Sequence, residues 1–76
     1  MNKVKRGQLQ KVIDKLGEVK VDIEKVLNQE QEDFDNLSEC AQASSNGQKM
    51  VEAIENLEAA SDFVDDVIEY VEEAKI

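Results

Sequence analysis

Two long runs of regularly spaced apolar residues are separated by Asn36-Leu37-Ser38-Glu39-Cys40-Ala41-Gln42-Ala43-Ser44-Ser45-Asn46-Gly47 in this 76-residue chain. Small polar residues and glycine cluster at Ser44–Gly47, which is the strongest break in the sequence. Helix-compatible residues with apolar periodicity stand on both sides of the stretch. The sequence therefore predicts a single all-α domain over residues 1–76, in which a turn at residues 37–45 joins two helices.

Serine residues mark where helices begin on either side of this break. Ser45, with Gln48 three residues later, fits a capping box at the start of the second helix. Ser38 fits the N-cap of one short helical turn that runs to Ala43. We predict that the second helix occupies about residues 46–75.

The run before the break repeats every seven residues and predicts a first helix over about residues 8–36. Three apolar positions per heptad form a stripe of the width that a core-facing helix buries. Glu30 interrupts one row of the stripe, and the basic residues 1–7 precede it as a frayed arm. The rows are Leu9, Leu16, Ile23 and Leu37; Val12, Val19 and Val26; and Ile13, Leu27 and Phe34.

The second helix carries four apolar positions per heptad, which is too wide a face for one neighbouring helix to cover. A single core in so short a chain rarely supplies more than roughly 3–5 kcal/mol of net stability. We therefore expect an antiparallel two-helix hairpin that gains further stability by dimerising into a four-helix bundle. The candidate oligomer interface consists of Ile54, Leu57, Phe63, Val64, Val67, Ile68, Tyr70 and Val71.

Charge is divided unevenly along the chain, whose net charge is −9. Residues 1–27 hold seven Lys/Arg and four Asp/Glu, a net charge of +3, whereas residues 28–76 carry −12. An antiparallel hairpin brings the two ends of the chain together, and surface ion pairs would favour that direction. The alternative is that the two charged faces are unrelated and merely solvated. The predicted pairs join Lys3, Lys5, Arg6 and Lys11 to Glu69, Glu72 and Glu73.

The composition argues against several classes of protein. A chain with one Cys forms no internal disulfide. Because it has no His, it also lacks the usual zinc ligands. Cys40 has no histidine base that could activate it as a catalytic nucleophile. Carboxylate pairs on the second helix have the spacing of helical nucleotide hydrolases, but no Lys or Arg accompanies them to hold a phosphate. The acidic charge argues against binding nucleic acid or an anionic membrane. Without a signal peptide or a membrane span, we expect a cytoplasmic, non-enzymatic protein with no cofactor and no metal.

An acidic cluster ends the first helix, where negative charge opposes the helix dipole. Local rules tend to fail at functional sites, so this cluster is the candidate partner-binding surface. The alternative is a solvated acidic end that only aids solubility. The candidate residues are Glu30, Glu32, Asp33, Phe34 and Asp35.

The turn and its flanks resemble a family of small acidic helical proteins encoded by phages and prophages. The matching segments are Glu30–Glu39, the spacing of Ser44, Gly47 and Met50, and the acidic heptads of Val51–Ala60. Ser38 departs from the family, which usually has proline there, and Asn46 replaces a common basic residue. The resemblance spans about residues 8–75 and implies a phage context without a mechanism.

Three hypotheses of function follow, one of which is a metal-dependent helical hydrolase that would use the carboxylate pairs of the second helix. The first is an acidic helical protein that binds and modulates a host protein, by mimicking the charge of DNA or without mimicry. The alternative is an oligomeric sponge that sequesters a small nucleotide signal between its subunits.

Overall fold

The computed structural model describes residues 1–76 and contains three helices and no strand. Helix α1 spans Lys3–Asp35, the short α2 spans Glu39–Gln42, and α3 spans Ser45–Ala74. The two long helices pack along each other into a rod of 58 × 15 × 12 Å. The predicted all-α fold with a pair of long helices is confirmed.

Contacts between α1 and α3 fix an antiparallel register. Lys75 Nζ donates to Gln10 Oε1 (2.6 Å), and Lys20 Nζ donates to Asp65 Oδ2 (2.5 Å). The residue numbers of each pair add up to 85, as they must when one helix ascends while the other descends. The amino group of Met1 also donates to the carbonyl of Ile76, so the two chain ends meet.

Helix α1 begins before the predicted residue 8. Asn2 adopts an extended backbone and its side chain accepts the N–H of Lys5 at 2.8 Å, so that it caps a helix whose first residue is Lys3. The basic segment expected to be a frayed arm is therefore helical from Lys3.

The turn contains the short helix that Ser38 was predicted to cap, since the Ser38 hydroxyl accepts the N–H of Ala41 at 3.2 Å. The cap of α3 is Ser44 and not Ser45. The Ser44 hydroxyl accepts the N–H of Gly47 at 3.1 Å, and the helix begins one residue earlier than predicted.

Along each long helix a row of buried and half-buried residues recurs in steps of three and four, which is the pattern of a coiled-coil seam. Gly17, Glu24, Val51 and Ala60 are half-buried beside this row. Polar residues interrupt this seam on both helices. On α1 the seam residues are Leu9, Ile13, Leu16, Lys20, Ile23, Leu27, Glu30 and Phe34, and Leu37 continues the row just after the helix. On α3 they are Gly47, Met50, Ile54, Leu57, Ser61, Val64, Ile68 and Val71, and the C-cap residue Lys75 continues the row.

The core of the hairpin is shallow. Only Gly47, Ile54 and Ser61 are buried, and Ile54 is the one large apolar side chain among them, at 7% exposure. The accessible surface of 5675 Å² exceeds the roughly 4,700 Å² expected for a compact protein of this mass. Two helices alone thus leave most of their apolar surface partly open to water.

The predicted ion pairs at the open end of the hairpin do not form. Lys20 makes the only ion pairs, with Glu24 on its own helix (3.8 Å) and with Asp65 on α3. The register places residues 3–6 beyond the last residue of α3. Lys11 is level with Ala74, but both Lys11 and Glu73 are exposed and lie outside the seam between the two helices.

Candidate functional site

The structure separates the predicted partner-binding residues into two groups. Glu32, Asp33 and Asp35 are exposed on the last turn of α1, and Asp35 accepts a hydrogen bond from the Gln31 amide at 2.9 Å. Glu30 and Phe34 instead occupy the seam and are half-buried. We define the exposed group, Glu32, Asp33 and Asp35, as the tip carboxylates.

Close contacts around α2 hold the tip in place. The side-chain Nε2 of Gln42 donates to the backbone carbonyl of Phe34 at 3.0 Å, which ties α2 to the end of α1. On the other side of α2, a Cβ atom on Gly47 would lie only 2.1 Å from the Gln42 carbonyl oxygen. Only glycine permits α3 to start so close to α2. The tip carboxylates are therefore presented from a closely packed corner.

The rod is electrically polarised along its length. The half nearer the turn, residues 21–64, carries eleven Asp/Glu and two Lys, a net charge of −9. At the open end, residues 1–20 carry +4 and residues 65–76 carry −4, and these cancel. The whole net charge of the protein thus lies in the tip half, which we define as residues 21–64.

An open groove of about 310 Å³ crosses one side of the tip half. Its walls include the carboxylates of Glu24, Glu58 and Asp62, and the buried Ser61 hydroxyl donates to Glu24 Oε1 at 3.5 Å. Carboxylate walls repel an anionic nucleotide and attract cations. No group of three Asp, Glu or Cys side chains in the protein converges closely enough to hold a metal ion.

Sequence reasoning did not identify this groove. A signal for it exists, because Ser61 stands where the seven-residue row of Ile54 and Ile68 would place an apolar side chain. The neighbouring Lys20 was also missed as a seam residue. The hydrogen bond to Asp65 raises the pKa of Lys20 above its usual 10.5, the nearby carboxylates of Asp65, Glu24 and Asp62 add to this, and desolvation partly opposes it.

The residues of the predicted oligomer interface also divide between two surfaces. Five of them, Ile54, Leu57, Val64, Ile68 and Val71, lie in the seam against α1. The other three, Phe63, Val67 and Tyr70, remain exposed at 68%, 45% and 73%. On α1, Val12, Val19 and Val26 are exposed as well, at 41%, 46% and 51%, although the sequence pattern placed them in the core-facing stripe.

Comparison with known proteins supplies no relative: no protein-family model, no curated protein and no solved structure matches the chain. None of the three helices combines the length and the apolar character that crossing a bilayer requires.

Proposed function

We propose that the protein is a non-enzymatic, acidic interaction protein that works in the cytoplasm as a homodimeric four-helix bundle. Its tip half binds a basic surface on another protein, as a modulator or inhibitor of the phage type. The observation that carries this proposal is the concentration of the entire net charge of −9 in the tip half. Complementary charge of this kind raises association rates and selects partners of the opposite sign.

The C-terminal end of α1 contributes the unpaired carboxylates of this surface. The three tip carboxylates make no ion pair, so no cation of the chain neutralises them. Negative charge at a helix C-terminus also opposes the helix dipole. A basic partner would relieve both unfavourable effects.

A lysate capture tests the proposal. Tagged protein serves as bait in a bacterial lysate at low salt, and the proposal expects specific recovery of a basic protein. Capture should fall as salt rises, because salt screens charges separated by more than about 8–10 Å. Recovery of no specific protein at low salt would reject the proposal.

The tip carboxylates are tested by reversing their charge in a triple variant, Glu32→Lys, Asp33→Lys and Asp35→Lys. The matched control reverses three exposed carboxylates at the open end of α3, Glu69→Lys, Glu72→Lys and Glu73→Lys. Both variants change the net charge equally, and circular dichroism confirms their helix content. Loss of capture in the tip variant alone supports the tip. Equal loss in both would point to bulk charge, and unchanged capture would remove the tip from the binding surface.

A further inference from the structure

Glycine follows asparagine at only one place in the chain, at Asn46-Gly47 in the first turn of α3. At such a bond the backbone nitrogen can attack the asparagine side chain, because glycine has no side chain to hinder the approach. Asn46 is exposed to water. The other four asparagines precede residues with long or branched side chains, which hinder the same attack; they are Asn2, Asn28, Asn36 and Asn56.

The fold itself requires glycine after Asn46. A Cβ atom at position 47 would overlap the backbone carbonyl oxygens of Gln42 and Ala41. Any other residue at this position would therefore displace the start of α3 from α2. The close corner of the hairpin and the reactive asparagine–glycine bond thus depend on the same residue.

The first turn of α3 holds the reacting atoms apart. The Gly47 N–H donates to the Ser44 hydroxyl at 3.1 Å, and Gly47 is buried. In an α-helix the N–H bonds lie along the axis whereas the side chains project outward. The Gly47 nitrogen is therefore directed away from the Asn46 side chain, and the cap holds the proton that this nitrogen must lose before it can attack.

We infer that Asn46 is a deamidation site, which the Ser44 cap keeps closed in the folded hairpin and which opens when the first turn of α3 unfolds. In the open state the Gly47 nitrogen loses its proton to water or hydroxide and attacks Cγ of Asn46. The new bond between nitrogen and Cγ closes a five-membered succinimide ring, and the side-chain amino group takes up a proton and leaves as ammonia. Water then opens the ring at either carbonyl, which leaves an aspartate or an isoaspartate at position 46.

The two products affect the turn differently. An aspartate adds one negative charge to the net charge of −9 in the tip half, and it lies in the first turn of α3, where the helix dipole favours negative charge. An isoaspartate leads the backbone through Cγ and lengthens it by one carbon, so the first turn of α3 no longer fits against α2. The amount of product measures how often the turn has opened.

Mass spectrometry of the full chain, incubated in mildly alkaline buffer with and without guanidinium chloride, tests the site. Trypsin releases residues 26–49 as one peptide, in which Asn28 and Asn36 serve as internal controls. Asn46 should convert at least about tenfold more slowly in the folded protein than in denaturant, because the open turn is a minor state, and it should convert ahead of both controls. Absence of conversion in denaturant would refute the site. Equal rates with and without denaturant would refute its protection by the fold.

The role of the cap is tested by Ser44→Ala. Loss of a cap costs about 1 kcal/mol, so Asn46 in the folded variant should convert about fivefold faster than in wild type. Ser44→Thr keeps a hydroxyl at the cap and is the matched control, with a rate close to that of wild type. Equal rates in wild type and Ser44→Ala, or a Ser44→Thr protein as fast as Ser44→Ala, would overturn the role of the cap. If Ser44→Ala loses helix content by circular dichroism, the comparison of wild type with and without denaturant decides the inference.

Discussion

The corner between α2 and α3 makes a sharp prediction about Gly47. A Cβ atom at this position would lie 2.1 Å from the Gln42 carbonyl oxygen and 2.6 Å from the Ala41 carbonyl oxygen. Both neighbours are backbone atoms and cannot rotate away. In Gly47→Ala the first turn of α3 must therefore move by about 1 Å, which pulls the Gly47 N–H from the Ser44 hydroxyl that caps the helix.

The expected magnitude combines opposing effects. Inserting a methyl group into a filled site costs about 1–3 kcal/mol, and loss of a cap costs about 1 kcal/mol. Alanine recovers up to about 1 kcal/mol through its higher helix propensity. Gly47→Ala should thus destabilise the protein by about 1–3 kcal/mol and lower its Tm by about 5 °C or more.

The same substitution at Gly17 is the matched control. A Cβ atom there meets nothing within 4 Å, so Gly17→Ala should stabilise the protein by about 0.5–1 kcal/mol. Urea and thermal unfolding, followed by circular dichroism at one protomer concentration, measure both variants. A Gly47→Ala protein as stable as wild type would show that the close approach of α3 to α2 is wrong.

Three further substitutions test the seam. Ile54→Ala should lower the free energy of unfolding by about 2–4 kcal/mol, because Ile54 is the one buried large apolar side chain. An Ile54→Ala protein that unfolds in urea like wild type would show that Ile54 is not buried in the core. Ser61→Ala should stabilise the protein by about 0.5 kcal/mol in the same assay, because the 3.5 Å hydrogen bond from Ser61 to Glu24 lies at the limit of hydrogen-bonding distance. A large loss of stability in this variant would show that the hydrogen bond is strong. Lys20 has a raised pKa, so its stabilising effect is complete below its usual pKa of 10.5 and disappears as pH rises through the raised value. The Tm difference between wild type and Lys20→Met should therefore vanish above that pH, and a difference that persists would contradict the ion pair with Asp65.

The sequence predicts the architecture because two physical patterns agree. Heptad rows such as Leu9, Leu16 and Ile23 identify the helices, and the polar cluster at residues 44–47 separates them. The opposite charges of the chain ends then favour an antiparallel arrangement. Each pattern repeats over about thirty residues, so a local exception does not change the result.

Details that depend on register are absent from the sequence pattern. The ion pair joins Lys20 to Asp65 and not the terminal cations to α3, because α1 begins at Lys3 and extends past the end of α3. Ser44 and Ser45 are adjacent serines, and the close approach of Gly47 to α2 accompanies capping by the first of them. No local signal distinguishes such alternatives.

The sequence predicts the acidic charge of the candidate site. It does not predict that some of the candidate residues are exposed and others lie in the seam. The excess of carboxylates is evident from the sequence, whereas the burial of Phe34 and Glu30 in the seam follows from their heptad positions opposite α3. The exposure of Val12, Val19 and Val26 follows from the narrow contact between only two helices. Which apolar residues stay exposed depends on how α1 packs against α3, and the sequence pattern alone does not specify that packing.

Native mass spectrometry of the freshly purified protein tests most directly the claim that this hairpin completes its core with a second copy. We expect a species of twice the 8.6 kDa chain mass with nothing else bound. A monomer at micromolar concentration would contradict the homodimer. A larger ring that retains a small nucleotide would contradict it as well, in favour of the sponge hypothesis.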